Sequence, residues 1–382
     1  MPEVTLVAGG WFSRLGRFLG LHGFIRPAVA LTILTWLPLL LLTAAAGHVA
    51  GGVTAPFAES IGTHTRFLLA LPLLFVAERR VYPQFKKLNE YLCSSGIVSP
   101  AVRSQYDAAV LSTMRWRDSI YTELVIVISV VGIAMTGPQL DPTAGSSSWR
   151  IVGGDLTAAG WWARAVSIPV FQYLIGRWLW RILVWTRFLW FVSRLKLDLR
   201  ATHPDRAGGL SPLGSTQASF DTLCLAASVL LTGIFVQEIL YGGTELMSLV
   251  PWTVMLTVAS QALFIGPLLI FTPRLMHVRW KGLREYSVLG MRYAREFEHK
   301  WMHPQAPERQ ESEALVGSAD IQSLADLGNS YQAVQEMNGL PFRRTLPIRL
   351  FLATLGPMLI LVPIAYPEEY LLLDGLRLIL GI

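Results

Sequence analysis

"AVALTILTWLPLLLLTAAAG", residues 28–47, is a run of twenty residues without a single charge. At about 1.5 Å of rise per residue, a helix of this length spans the hydrocarbon core of a bilayer, which is about 30 Å thick. Lipid offers no hydrogen bonds to an exposed backbone, so a lone apolar run of this kind must close its bonds within a helix. Six further stretches follow the pattern, at 61–76, 120–137, 159–179, 219–241, 249–271 and 346–365, the second being the shortest. The composition agrees. The 382 residues are 52% hydrophobic and 15% charged, against about 25% charged in an ordinary soluble domain. The fold class expected is therefore all-α, a polytopic membrane helix bundle of about seven spans with cytoplasmic amphipathic helices.

The basic residues test this segmentation independently, because Lys and Arg concentrate in cytoplasmic loops. Arg14, Arg17 and Arg26 precede the first run; Arg79, Arg80, Lys86, Lys87, Arg103, Arg115 and Arg117 follow the second. Arg187, Arg194, Lys196, Arg200 and Arg206 separate the fourth and fifth, and Arg274 through Arg344 crowd the gap before the seventh. The opposite side holds Arg150, Arg164 and Arg377, with Arg66 near it. Every alternate loop is basic, which expects a cytoplasmic N-terminus and an external C-terminus. The net charge of +6 is then explained by loop bias, without nucleic acid. Residues 1–10 lack a basic start, so no signal peptide is read there, and Cys93 and Cys224 imply no disulfide framework.

The chain divides accordingly into a cytoplasmic interfacial segment (1–27), spans 1–2 (28–76), a cytoplasmic helical loop (77–119), spans 3–6 (120–271) with a polar cytoplasmic loop at 198–216, a cytoplasmic helical region (272–345), and span 7 with an outer-face C-terminal segment (346–382). Trp11, Phe12, Leu15, Phe18 and Leu19 oppose Arg14 and Arg17, the pattern of a helix lying in the headgroups. Phe85, Leu88 and Leu92 share one side of a helix within 80–118. Leu283, Tyr286, Gly290, Tyr293, Phe297 and Trp301 form an apolar stripe along 280–303, suited to packing on neighbouring helices or to docking a partner. A third helix is expected over 317–337, capped by Ser318 with Asp320 in its first turn. Ile321, Leu324 and Tyr331 line one side of it, and Gln322, Asp326, Asn329 and Gln332 another.

Candidate functional residues come from two sources. The first is "THPDRAGGLSPLG", residues 202–214, a polar and turn-rich stretch between two apolar runs. Thr202 and Asp205 have the spacing of a capping box, and Gly208 and Gly209 can take positive φ. Asp205 and Arg206 can equally form a polar mouth with Asp326 or Asn329. A metal at His203 and Asp205, or at His299 and His303, lacks a visible third ligand. "HPD" also occurs in J-domain co-chaperones, but that domain needs soluble helices where this chain has apolar ones. The second source is intramembrane charge, which is costly in lipid and so a functional candidate by default. Arg177 and Arg181 lie one turn apart among tryptophans, either snorkelling to headgroups or facing a cavity as an anion-attracting pair. Gln237 and Glu238 lie near the outer end of the fifth run, Glu123 near the inner start of the third, and His64 and Arg66 at the outer start of the second.

"LTWLPLLLL" (34–42), "RFLLALPLLFVAE" (66–78), "RWLWRILVWTRFLW" (177–190), "LDLRATHPDRAGGLSPLG" (197–214) and "GSADIQSLADLGNSYQAV" (317–334) together resemble an uncharacterised family of bacterial multi-spanning inner-membrane proteins. "THPDRAGGL" and "DIQSLADLGNSY" carry the resemblance most specifically. It implies the fold class and a bacterial inner-membrane location, and transfers no activity, cofactor or ligand. The leading functional expectation is a channel or transporter for a small solute or an anion, with the lipid bilayer as its environment. The alternatives are a membrane scaffold or sensor, as a homo-oligomer or docking a protein partner on its cytoplasmic helices, and a membrane-embedded enzyme using His203 and Asp205.

Overall fold

The computed structural model describes residues 23–136, 147–302 and 318–367. The expectations for residues 11–19, His303, Arg377 and the tail 370–382 fall outside them. Ten helices in chain order organise the described residues: α1 (Ile25–Ala45), α2 (Ile61–Ser94), α3 (Arg103–Arg117), α4 (Ile120–Thr136), α5 (158–194), α6 (Pro212–Tyr241), α7 (Leu246–Leu269), α8 (Thr272–Met302), α9 (Ala319–Gln335) and α10 (Thr345–Ala365). Extended pairing among these residues is confined to the hairpin Ile151–Val152 with Asp155–Leu156 and a bridge between Ala55 and Ser148.

Five of the helices (α1, α2, α6, α7 and α10) are long and apolar enough to cross a membrane. In α7 only 17% of the apolar window is buried within the bundle. Trp252, Val254, Met255 and Val258 point outward instead, an arrangement stable where the surroundings are hydrocarbon rather than water. The two other stretches expected to span, 120–137 and 159–179, are also helical.

Two helices outrun the apolar runs that announced them. α2 continues unbroken from 61 to Ser94, and α5 continues to Arg194. The charges that ended those runs in the sequence are satisfied by neighbouring helices, so the helix has no reason to stop there. Both helices also contain a π turn, at Thr65–Ala70 in α2 and Ala163–Ser167 in α5, and α1 packs against both. The Ser167 hydroxyl donates to the Thr35 carbonyl at 2.7 Å, binding α5 to α1.

The core centres on Trp185, which is wholly buried. Phe85 meets it edge-on at 4.4 Å between ring centroids, Phe188 stacks on it at 5.5 Å, and its indole N–H donates to Gln217 Oε1 at 2.8 Å. The polar edge of the ring is thus satisfied while its faces are packed. At the far end of the chain, α8 and α9 pair with each other. Tyr286, Tyr293, Phe297 and Trp301 are half-buried in the described fold, and the expected cap on α9 forms, with Ser318 Oγ accepting from the Ile321 N–H. Leu324 and Tyr331 are half-buried, whereas Ile321 is exposed; Val334 takes the buried place on α9.

α2 and α6 approach closely where Gly233 meets Thr65. A Cβ built on Gly233 would lie 2.0 Å from Thr65 Oγ1, and small residues at such crossings let membrane helices approach backbone to backbone. Gly233→Ala is therefore expected to destabilise the protein by about 1–3 kcal/mol, the usual cost of overpacking. Thermal unfolding in detergent should show a lowered Tm that Thr65→Gly partly restores; an unchanged Tm would rule out this contact as a constraint.

Candidate functional site

The loop at 202–214 is built around Asp205. Its Oδ1 accepts from the backbone N–H of Ala207 at 2.8 Å and of Gly209 at 3.0 Å, and its Oδ2 from that of Ser211 at 3.0 Å. The expected capped helical turn from Thr202 does not form, because the carboxylate gathers downstream donors into a series of turns. Gly208 and Gly209 take φ of 64° and 95°, as expected, and Arg206 takes 58°, a region that costs a non-glycine residue free energy. The conformation aims the Arg206 carbonyl at the Asn338 N–H, 2.7 Å away, while its guanidinium pairs with Glu336 at 2.8 Å. Ala207 to Leu210 are buried. Arg274 donates to the carbonyls of Ser193 and Leu195 just upstream.

His203 Nδ1 lies 2.8 Å from Asp205 Oδ1. With Pro204, Arg206, Asn329, Gln332, Ala333 and Glu336 it lines a cleft of about 240 Å³ between the loop and α9. Two of the residues anticipated as a polar mouth, Arg206 and Asn329, do line one space. Asp205 lies beneath it, occupied by the loop backbone. Asp326 is exposed on α9 and takes no part in the lining. No group of three or more metal-ligating side chains occurs among the described residues.

Arg177 and Arg181 are buried, and the space they line together with Glu78 is too small to admit a water molecule. Arg181 forms an ion pair with Glu78, and its guanidinium lies 4.9 Å from the centre of the Trp178 ring. Arg177 stands 6.0 Å from the Tyr173 ring. Leu74, Phe75 and Leu174 close around them. A second buried carboxylate, Asp221, accepts from Arg80 at 3.0 Å and from Arg349, joining α2, α6 and α10. Glu78, Asp221 and Arg349 were missed in the sequence. The signal was there: Asp221 and Arg349 lie inside the apolar runs 219–241 and 346–365 with opposite charge.

The other end of α6 carries a larger cleft, about 480 Å³. The 21 residues from Asp221 to Tyr241 put it about 30 Å from the Asp221 level. Arg66, Arg150, Glu59, Glu238, Thr63 and Gln237 are among its walls. Its geometry is held by several contacts. Gln237 Oε1 accepts from the Gly62 N–H at 3.1 Å, and Arg150 Nη2 donates to Thr63 Oγ1 at 3.1 Å while its guanidinium lies 4.7 Å from the Trp149 ring centre. Thr157 caps α5 through Gly160 and donates to the Trp149 carbonyl at 2.7 Å. Behind these, the Trp36 indole N–H donates to His64 Nδ1 at 3.0 Å, which leaves Nε2–H to donate to the Phe57 carbonyl, also at 3.0 Å. Arg66 stands apart. Among the described residues its guanidinium makes no hydrogen bond and no ion pair; it has Phe171 at 6.0 Å and lies in the field of Arg150, a like charge. Two of the charges singled out in the sequence, Arg66 and Glu238, thus share one cleft with Arg150, and Arg177 and Arg181 do not.

The Asp205 clamp has a pH dependence of definite sign. Burial opposes its ionisation, but the N–H donors of Ala207, Ser211 and Gly209, with His203, outweigh it and hold the carboxyl below its ordinary value. A depressed carboxylate contributes stability that is complete above its unfolded pKa, about 3.9, and is lost as pH falls through its folded value. Asp205→Asn keeps one accepting oxygen where the loop uses two, so it is expected to cost about 1–3 kcal/mol near neutrality. Limited proteolysis at Arg206 should accelerate in the variant at pH 7 and in the parent protein only in acid. Equal cleavage of both at pH 7 would dismiss the clamp. Compared with protein-family models, curated proteins and solved structures, the chain matches none, so its functional reading rests on the geometry of these two clefts.

Proposed function

We propose that this is a seven-span transporter of the bacterial inner membrane, with its N-terminus in the cytoplasm, and that an anionic solute enters it through the Arg66 cleft. The observation that carries the reading is Arg66 itself. A guanidinium set into a bundle without a described anionic partner, beside a second arginine, is costly unless an anion completes it. Arginine also holds carboxylate and phosphate oxygens through paired N–H donors.

Two further features support the proposal. Arg66 lies within the π turn of α2, a distortion frequently found at functional positions. Between this cleft and the opposite end lies a closed layer in which Arg181 is held by Glu78. Passage of an anion would require that pair to part, with Arg181 exchanging the carboxylate for the solute. In the alternating-loop orientation, the Arg66 cleft faces outward and the His203 cleft inward. The scaffold alternative drew on an apolar stripe along 283–301, whose aromatic members are half-buried in the fold.

Flux of halide, phosphate and protons into liposomes bearing the purified protein tests this directly. Arg66→Gln is expected to lower anion flux about tenfold or more, the scale of one lost charged hydrogen bond. The exposed Lys281→Gln should leave it unchanged. No anion flux from folded, oriented protein, or flux indifferent to Arg66→Gln, would overturn the transport reading through this cleft.

A further inference from the structure

A second space, of about 460 Å³, lies beside the Arg66 cleft along α6, and Ile234 is a wall of both. That space follows α6 from Ile234 through Leu230 and Ala227 to Leu223, about 16 Å of helix. Phe171 and Trp178 of α5 and Phe264 of α7 form its other sides, and no charged side chain lines it. Its rim includes Leu179, Trp252 and Met255, all about half exposed at 50%, 55% and 56%. The space therefore opens sideways, on the outward apolar surface of α5 and α7, rather than toward water.

A water-soluble anion has no use for such a groove, and a plain hydrocarbon chain has none for Arg66. One ligand uses both. We infer that the occupant of the cleft is an anionic lipid, its phosphate-bearing headgroup against Arg66 and Arg150 and one acyl chain laid along α6 between Ile234 and Leu223. This rests on the anion reading of the cleft: the guanidinium that receives a solute's oxygens there also receives the phosphate of a lipid. Three observations converge on it: the Arg66 guanidinium, which has no hydrogen bond or ion pair among the described residues although Glu59 and Glu238 share its cleft; the adjacency of the two spaces across Ile234; and a lateral opening through which a lipid can enter without leaving the bilayer. Ala226, Ala227 and Ala259 keep the groove open where larger side chains would fill it.

The test reads binding rather than transport, so it stands whether or not flux is seen. The full chain in detergent is given equal amounts of phosphatidic acid and phosphatidylcholine with identical chains, and retained lipid is counted by native mass spectrometry. Inorganic phosphate is tested separately by thermal shift. The expected result is one phosphatidic acid retained per chain, about tenfold over phosphatidylcholine. Arg66→Gln should erase that preference and Arg66→Lys should keep part of it, which separates loss of charge from loss of fold. Ala227→Phe, which fills the groove and leaves the arginines in place, should lower retention of phosphatidic acid without altering any phosphate shift. Equal retention of the two lipids by the parent protein, or a preference that survives both Arg66→Gln and Ala227→Phe, would overturn the inference. A phosphate shift that depends on Arg66, with no lipid preference, would overturn it while leaving a soluble-anion site standing. Binding of neither phosphate nor phosphatidic acid would remove both readings.

Discussion

Asp221 sets the level at which this bundle is joined. Its two oxygens hold Arg80 from α2 and Arg349 from α10, so three helices distant in sequence share one charge centre. One layer away, Glu78 holds Arg181 from α5. Of these, Arg181–Glu78 is the buried pair, and removing one partner of such a pair typically costs about 3–5 kcal/mol, because the other charge is left stranded. Apolar surfaces alone slide over one another with little preference, since lipid tails are as apolar as leucine. The ion pairs remove that freedom. They fix the rotation of α2 beyond its π turn, where Glu78 and Arg80 lie.

The architecture was largely legible in the sequence because its cause is one-dimensional. Whether a run of twenty residues such as 28–47 tolerates lipid depends on its own composition and on nothing else in the chain. The glycine turns at 208 and 209 and the Ser318 cap were legible for the same reason, each being a local rule of backbone geometry. Pairing is another matter. Glu78 passed unnoticed just beyond the second run and Arg80 read as a loop charge, since neither residue announces a partner about 100 or 140 positions away. Arg177 and Arg181 were rightly picked out as unusual, yet their meaning reversed once Glu78 stood beside Arg181. Asp205 was placed in the right loop and beside His203, but nothing in the sequence signalled that its carboxylate satisfies the backbone of that loop rather than lining the cleft above it.

The two clefts differ in kind. The one beside His203 is walled by charges that already have a partner, Arg206 with Glu336, and is floored by Asp205 with its ring of N–H groups. Its loop is stitched to Asn338, while the chain just upstream of it is held by Arg274 of α8, and it serves first as a joint between layers. The cleft around Arg66 leaves a charge unanswered among the described residues and lies beside an apolar space. A site that is electrostatically complete has little left to offer a ligand, whereas an incomplete one gains by taking one in.

The π turn at Thr65–Ala70 bears on all of this through phase. A π turn holds about one residue more than an α turn, and each residue of an α-helix advances the side chains by about 100°. Everything on α2 beyond Ala70 is therefore rotated by roughly a quarter-turn relative to an uninterrupted helix. That offset lets one helix aim Arg66 into the cleft while presenting Glu78 to α5 and Arg80 to α6. Helices of this kind can lengthen or shorten by one residue at a single place without disturbing either end. In α2 that place holds Arg66 itself and precedes Glu78 and Arg80, so the charge in the cleft and the charges that pair with other helices can be tuned apart.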